Sequence, residues 1–386
     1  MITIQTSPSS YTSAHEKNYF VCSSDNTGQA NFKYIFDIYV NTIQIARLKT
    51  FPDPATAYGI VDIGQIVRNY LINYFLPPAA ATGLTTAGTT MSATYELKIG
   101  EEYADTIYSN LAASGLKKVY NYYNPPLTIA NTLSSYVGYW LSTRDRTKGT
   151  TTLTERFILS YFADTAVLPT NIVIQKYNAD GTNDGISLSS SIGVTQEFTL
   201  FNVSPTVINN MSAGFITAST YSYGVWLQKV AVVISQVFTI KLSCTRFTPI
   251  PLTFLNSLGG YDTFTFRLVN KKSKTNISKS FGKLGWALSG TTMQRNNSYN
   301  VINVTNVPFS NNQKFTYKLS SDYVNETDYN WLGELIGSPE VYLHNGTNFY
   351  PVTIKTTNWD EKIKIVDKLF MFDLEIEFAE INSQYK

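Results

Sequence analysis

The sequence has few of the residues that hold small secreted proteins or metal sites together. Only two of its 386 residues are cysteine and two are histidine. Two cysteines cannot form a disulfide scaffold, and His15 and His344 are too distant in sequence to predict a His-rich metal site. We therefore expect no metal and no cofactor. We expect Cys22 and Cys244 to be free, buried thiols.

Long apolar runs are also missing. The most apolar stretch, residues 225–240, contains Gln228, Lys229 and Gln236, whereas a membrane span needs about 20 apolar residues. Residues 1–16 are polar and lack the apolar core of a secretory signal. We therefore expect no secretory signal and no membrane partner.

Charge is scarce. Charged residues make up 15% of the chain, whereas about 25% is typical of soluble proteins. The 30 Lys and Arg residues against 28 Asp and Glu residues leave a net charge of +2, which argues against a dedicated nucleic-acid binder. Aromatic residues make up 14% of the chain, so the composition is not that of a disordered protein. The length predicts two or three folded domains.

Alternating apolar and polar residues predict that the fold is mainly β. Residues 32–40 alternate over nine positions, and residues 372–378 place Asp373, Glu375 and Glu377 on one face, which we expect to be solvated or to meet a basic partner surface. Gly259-Gly260 precedes another aromatic strand. Short strands separated by turn signals predict two or three β-sandwich or barrel-like domains with a few short helices.

Proline-rich positions suggest the domain boundaries. Pro125-Pro126 and the Pro249-x-Pro251 motif divide the chain into three parts. These are an N-terminal β domain at 1–126, a middle β-sandwich-like domain at 127–250 and a C-terminal β-rich domain at 251–386.

Two helices and one extended segment are predicted within these domains. Residues 1–18 are expected to form an extended arm, either flexible or docked. A helix at about 62–75 has Asp62 as a candidate N-cap, with Gln65 three residues later as in a capping box. A second helix at about 327–336 is expected to end at Gly337, because glycine is typical just past a helix end.

Five lysines lie within thirteen residues that contain no acid, and we consider this segment a candidate protein-contact surface. Three interpretations stay open: a solvated hairpin beside the Phe264 and Phe266 strand, a contact with an acidic neighbouring subunit, and a contact with DNA phosphates. The lysines are Lys271, Lys272, Lys274, Lys279 and Lys283.

Aromatic residues crowd the first predicted boundary and form a second candidate surface. Tyr and Trp bring large, rigid contact area to interfaces; they also stack on sugars, and they equally suit packing between domains. The residues are Tyr122, Tyr123, Tyr136, Tyr139 and Trp140.

Motifs for catalysis are weak, and we expect no enzymatic activity. Nucleophilic catalysis needs a base beside its nucleophile, but His15 falls in the predicted arm and His344 beside an Asn-Gly turn. Glu375 and Glu377 lie about 7 Å apart along a strand, a spacing that suits either a glycosidase pair or a solvated strand. Residues 178–185 lack the glycine and glutamate positions of an EF-hand, so a hairpin turn is expected there, with a weak cation site as the alternative.

Several segments resemble virion structural proteins of tailed bacteriophages that infect Bacteroidetes, including the crAss-like group. The segments that carry this resemblance lie at 32–40, 46–49, 59–62, 66–71, 254–266, 338–341, 351–354 and 367–370. The resemblance implies assembly, in multiple copies, into a tail, a head–tail connector (neck) ring or a baseplate. It also implies that the protein resides in the virion and that its partners are copies of itself and other virion proteins. It assigns no functional residue.

Two alternatives to an assembly protein remain. Exposed Tyr and Trp side chains would suit a carbohydrate-binding adhesin, head-fibre or receptor-binding module, whose partner would be a glycan. Paired carboxylates would suit a glycan-cleaving enzyme.

Overall fold

The structure is a computed structural model, and it describes residues 1–71, 83–87, 91–122, 138–163, 167–268, 270–295, 297–298, 301–302, 305–345, 348–359, 369–378 and 382–385. The fold is mainly β, with 54% strand and 8% helix. The prediction of a mainly β fold with few short helices is therefore confirmed, and the sheets are antiparallel or mixed.

The described residues form thirty-three strands. The first ten are β1 (Ile2–Thr6), β2 (Tyr11–Ser13), β3 (Tyr19–Ser24), β4 (Lys33–Val40), β5 (Ile43–Thr50), β6 (Gly59–Asp62), β7 (Thr85–Ala87), β8 (Ser92–Tyr103), β9 (Thr106–Ala113) and β10 (Lys117–Tyr120). The next eleven are β11 (Tyr139–Trp140), β12 (Gly149–Thr151), β13 (Ile158–Phe162), β14 (Asn171–Tyr177), β15 (Asn183–Ser191), β16 (Phe198–Asn202), β17 (Ser222–Lys229), β18 (Val232–Val233), β19 (Phe238–Leu242), β20 (Ile250–Leu255) and β21 (Tyr261–Phe266). The last twelve are β22 (Lys271–Gly282), β23 (Trp286–Ser289), β24 (Thr292–Arg295), β25 (Asn297–Ser298), β26 (Val301–Ile302), β27 (Asn306–Ser320), β28 (Val324–Asn325), β29 (Val341–Asn345), β30 (Asn348–Ile354), β31 (Leu369–Phe370), β32 (Asp373–Phe378) and β33 (Asn382–Tyr385). The helices are α1 (Gly64–Arg68), α2 (Pro205–Met211) and α3 (Glu326–Gly337).

The chain divides into two compact units, each built from segments that alternate along the sequence. The first unit contains residues 1–245, 253–264 and 330–339, and the second contains residues 246–252, 265–329 and 340–386. The boundary predicted at 126/127 lies among residues 123–137, outside the described residues, and stays a prediction. The boundary predicted at 250/251 falls within β20.

The first unit contains an N-terminal β-sandwich. A sheet in the order β1-β3-β6 faces a sheet in the order β2-β10-β8-β4-β5, on which β9 pairs with β8. One core cluster fills the space between them, with Phe20 and Val61 from the first sheet and Tyr34, Phe36 and Leu97 from the second. The predicted alternation of β4 supplies the inward face, because Tyr34, Phe36, Ile38 and Val40 are all buried.

Of the two alternatives predicted for residues 1–18, the flexible arm is wrong, because most of this segment is built into the sandwich as extended strands. Strand β1 pairs antiparallel with β3, so that Ile4 lies opposite Cys22. Strand β2 pairs parallel with β10, so that Thr12 lies opposite Val119. These residues therefore have backbone partners in their own chain and do not provide an arm that docks on another copy.

A second sandwich follows in the first unit. The sheet β11-β13-β16-β7 packs on the sheet β12-β19-β17-β14-β15, on which β18 pairs with β17. Its core cluster is separate from the first and includes Trp140, Tyr161, Phe201, Tyr223 and Phe238. The turn predicted at 178–185 is confirmed, since β14 and β15 form a hairpin in which Tyr177 lies opposite Asn183.

The helix predicted at about 62–75 is shorter than expected within the described residues. Helix α1 spans Gly64–Arg68, and its cap position is Ile63 rather than Asp62. The Asp62 carboxylate nevertheless accepts hydrogen bonds from the backbone N–H groups of Gly64 and Asn18. Residues 72–75 lie outside the described residues.

Of the other two helices, α3 begins and ends near its predicted signals, whereas α2 was not predicted. Helix α3 spans Glu326–Gly337, where the sequence predicts a helix at 327–336. Helix α2 has Pro205 in its first turn and Ser204 at its cap position; this Ser-Pro pair is a known start signal, but it was not used in the prediction. No helix among the described residues is long and apolar enough to cross a membrane.

The predicted Gly259-Gly260 turn is present, and the close packing of its backbone explains both glycines. The turn joins β20 to β21, and Gly259 has a φ of +78°, which disfavours residues with a side chain. A Cβ atom at Gly260 would collide with the carbonyl oxygen of Leu141. The Asn256 side chain accepts hydrogen bonds from the N–H groups of Leu258 and Gly260.

The second unit contains a sheet whose strands run in the order β29-β30-β32-β27-β22, with β33 also paired to β27. The alternation predicted for β32 is confirmed, because Leu374 and Ile376 are buried while Asp373 is exposed. The predicted Asn-Gly hairpin joins β29 and β30, which pair Asn345 with Asn348; Gly346 lies outside the described residues.

Candidate assembly surface on a β-ribbon

The lysine cluster lies on an edge strand. Strand β22 carries Lys271, Lys272, Lys274 and Lys279, and it pairs with β27 at one end of its sheet. All its residues except Ser273 are exposed. Lysine on an edge strand discourages unwanted pairing with another chain, because adding a strand there would bury the charge.

Strand alternation divides the lysines between two faces. Successive side chains of a strand point to opposite sides, so Lys272 and Lys274 share one face, while Lys271 and Lys279 share the other. On the first face, Lys272 lies 5.0 Å from the ring centroid of Tyr317 and Lys274 lies 5.5 Å from that of Phe315. The four lysines of β22 therefore do not share one face of the strand.

The carboxylates of β32 meet lysines of the neighbouring strands. Glu377 lies 2.9 Å from Lys314 and 3.2 Å from Lys355, and Glu375 lies 3.1 Å from Lys318. The hydrogen bond from Lys314 is the main reason that the pKa of Glu377 lies below its usual range. A glycosidase general acid needs the opposite shift, so this arrangement gives no support to a catalytic carboxylate pair.

Beyond the lysines, β22 and β27 continue as a two-stranded ribbon that carries a small hairpin. We call residues 271–310 the ribbon arm and the β23–β24 pair the tip hairpin. The tip hairpin turns at Gly290, which has a φ of +62°. Glycine at the first position of a two-residue connection is typical of a type II′ turn, which suits the twist of a hairpin.

One face of the tip hairpin is apolar. Trp286 lies opposite Arg295 and Leu288 lies opposite Met293, and residues directly opposite each other in an antiparallel pair point to the same side. The Arg295 guanidinium lies 5.5 Å from the centre of the Trp286 ring. The other face carries Ala287, with the polar residues of the pair.

Apolar exposure is concentrated in the ribbon arm. Seven large apolar side chains there are at least 43% exposed: Ile277, Phe281, Leu284, Trp286, Leu288, Met293 and Phe309. Phe281 and Phe309 contact each other with ring centroids 6.3 Å apart, and neither core cluster of the chain includes a described residue of the arm. Exposed apolar side chains grouped in this way mark an interaction site.

The ribbon arm is also uniformly basic. It contains five lysines and one arginine and no Asp or Glu, so its formal charge is +6. The rest of the chain contains 24 basic and 28 acidic residues and therefore carries a net charge of −4. The near-neutral net charge of the chain is therefore the sum of a basic ribbon arm and a net-acidic remainder.

The aromatic residues predicted as a second contact surface do not form one among the described residues. Trp140 is 2% exposed, and its Nε1–H donates to the Gln236 carbonyl over 2.8 Å. Tyr122 is also buried. As contact residues these two are wrong, because they belong to the interior of the chain. Tyr139 is 43% exposed, and Tyr123 and Tyr136 lie outside the described residues.

The histidines and cysteines occupy unrelated places. The Nε2 atom of His15 lies 2.7 Å from the Asn121 Oδ1 atom, and His344 is buried with its ring stacked on Phe349. Cys22 is buried as predicted, but Cys244 is exposed, so that part of the prediction is wrong. No group of three or more metal-binding side chains occurs among the residues that the structure describes.

The sequence arguments missed the tip hairpin. Its signal was available, because residues 286–289 alternate apolar and small residues before Gly290, and Met293 follows at the matching position. No protein-family model matches the chain, and no curated protein matches it.

Proposed function

We propose that this protein is a non-enzymatic structural protein of a bacteriophage virion, which assembles in multiple copies into the tail, the head–tail connector ring or the baseplate. The observation that carries the proposal is the ribbon arm, whose described residues include seven large apolar side chains that are exposed. A two-stranded ribbon is marginally stable in water at best. A partner that covers these side chains would stabilise it.

The composition of the arm supports a protein partner. The cores of protein interfaces are enriched in aromatic residues, Met and Arg and depleted of Lys, Asp and Glu, and the tip of the arm at residues 286–295 contains Trp286, Met293 and Arg295 but no Lys, Asp or Glu. The resemblance of several segments to phage structural proteins points to other virion proteins as the setting for such contacts. On that resemblance, we expect the protein in the virion, after synthesis in the host cytoplasm.

Mass spectrometry and electron microscopy of purified phage particles test the proposal. We expect peptides of this chain in particles purified by density gradient, in several copies per particle. Antibody labelling should mark the tail, the neck or the baseplate. Absence of the chain from intact particles, together with its presence in the infected-cell lysate, would refute the proposal.

A second candidate function is glycan binding, and one cleft in the first unit favours it. The cleft has a volume of about 440 Å³ and is lined by Tyr177, Tyr221, Asn178 and Asp184, among others. Aromatic rings beside amide and carboxylate groups suit the apolar faces and the hydroxyl groups of a sugar.

A glycan array with purified protein tests this candidate. Binding that is lost in Tyr221→Ala would support it, and Tyr108→Ala is a matched control because both tyrosines are 39% exposed. No binding to the array, or equal loss in both variants, would count against a glycan site in this cleft.

A further inference from the structure

The apolar face of the tip hairpin has the features that are typical of a docking surface. Trp286 and Leu288 come from one strand and Met293 from the other, and the cross-strand register places all three on one side. They are 44%, 68% and 51% exposed. Arg295 borders the Trp286 ring. An aromatic anchor with aliphatic neighbours and an arginine at its rim is the usual centre of a protein–protein contact.

The charge of the arm favours one kind of partner. DNA and anionic lipid both attract a basic arm, but both would repel the remainder of this chain, whose net charge is −4. In a second copy of the chain, the same net negative charge would attract the basic arm. The division of the β22 lysines between two faces also argues against DNA, because a phosphate backbone needs its cations on one side.

The same charges favour a head-to-tail arrangement. Two arms that packed on each other around a two-fold axis would bring together two segments of charge +6. An arm that docks on the acidic remainder of the next copy avoids this repulsion. A contact between two different surfaces generates a ring when its rotation closes.

We propose that the tip-hairpin face formed by Trp286, Leu288 and Met293 docks on a second copy of this chain, on the net negatively charged part of that copy outside the ribbon arm, in a head-to-tail contact. This inference rests on the proposed function, since it names the partner through which the copies of a virion protein would associate.

Sedimentation velocity of the full-length protein tests the contact with a matched pair of variants. Leu288→Asp places a charge on the apolar face, and Ala287→Asp adds the same charge to the opposite face of the same strand. We expect Leu288→Asp to weaken self-association about tenfold or more, the effect of losing a central interface residue. Ala287→Asp should stay within about threefold of the wild type. Circular dichroism melting of each variant checks that the fold is retained.

A third variant tests whether the contact is head-to-tail. Gly282 pairs with Asn306, so residues 283–305 can be replaced by an Asn-Gly turn that keeps the ribbon register. This protein without the tip hairpin should not associate with itself, yet it should bind the wild type, because it retains the residues outside the ribbon arm, whose net charge is −4. Failure to bind the wild type would refute the head-to-tail contact. Raising the salt concentration should weaken the association.

Other outcomes would overturn the inference. Equal association by the two Asp variants would exclude the tip face. The inference also fails if the wild type is monomeric at about 100 μM, a concentration that reveals even weak contacts. It fails if the wild type binds anionic vesicles or duplex DNA through Leu288 in place of a second copy. A monomeric protein that is nevertheless found in phage particles would refute this inference and leave the proposed function standing.

Discussion

The indole Nε1–H of Trp331 donates a hydrogen bond over 3.0 Å to the Oδ2 atom of Asp262, and both side chains are buried. Removal from water raises the pKa of Asp262 to about 6, although hydrogen bonds from Ser142, Trp331 and Asn256 act to lower it. The nearby Glu334 adds to the increase. A buried acid with a raised pKa makes the stability of the fold depend on pH.

We expect this dependence between about pH 4 and pH 6. In that window the folded state binds more protons at Asp262 than the unfolded state does, so the free energy of unfolding falls as pH rises, by on the order of 3 kcal/mol in total. Urea unfolding of Asp262→Asn should lack this contribution, because the amide does not titrate. Asp322→Asn, at an exposed position, should keep the wild-type slope. An unchanged slope in Asp262→Asn would contradict the assignment.

Trp140 and Tyr139 are neighbours that should respond very differently to truncation. Trp140 packs edge-to-face against Tyr161 and Phe201, with ring centroids 5.4 Å and 5.6 Å away, whereas Tyr139 is exposed. Trp140→Ala should reduce the free energy of unfolding by about 3–5 kcal/mol. Tyr139→Ala should change it by less than about 1 kcal/mol. Chemical denaturation measures both, and similar losses would mean that Trp140 is not a core residue.

The lysines of β22 should protect the edge of its sheet. In Lys274→Thr/Lys279→Thr, one charge is lost from each face of the exposed strand, and threonine favours strand pairing. We expect faster aggregation at 37 °C, measured by light scattering. The control is Lys229→Thr/Lys241→Thr, which removes the same charge from β17 and β19, strands with neighbours on both sides. Equal aggregation of the two double variants would assign the effect to net charge alone.

The two thiols should react at very different rates. Burial is the main cause that raises the pKa of Cys22 to about 12, and Cys244 is exposed. Because the thiolate is the reactive form, a thiol reagent at pH 8 should modify Cys244 in the native protein and Cys22 only after unfolding. Cys244→Ser should therefore remove the native reaction, and Cys22→Ser should leave it intact. Rapid native labelling of Cys244→Ser would show that Cys22 is accessible.

The sequence predicted those elements of the fold whose signals lie within a short stretch of the chain. The alternation of β4 and β32 and the signals around α3 each lie within a dozen residues, and each element occurs where it was expected. Strand β2 depends instead on β10, more than one hundred residues further along. No feature of residues 11–13 specifies that partner, and so the segment resembled an arm.

The candidate surface was predicted only in part, for a similar reason. The lysine cluster is visible as composition, but its division into two faces follows from the strand register. The residues next to Trp140 in the sequence do not indicate that it is buried, because its packing partners Tyr161 and Phe201 come from other strands. The tip hairpin is a local feature, and its alternation could have been recognised from the sequence.

The interleaving of the two units has a consequence for synthesis on the ribosome. In the first unit, the Asn256 side chain donates to the Leu141 carbonyl across 115 positions, and the Tyr261 N–H donates to the Ser160 hydroxyl across 101. Glu334, further along, accepts from the Ser257 N–H and hydroxyl. A nascent chain that has emerged only as far as residue 245 therefore cannot complete this unit. The strands of the second sandwich have all been synthesised by Leu242, but the segments 253–264 and 330–339 can complete the unit only after residue 339 has emerged.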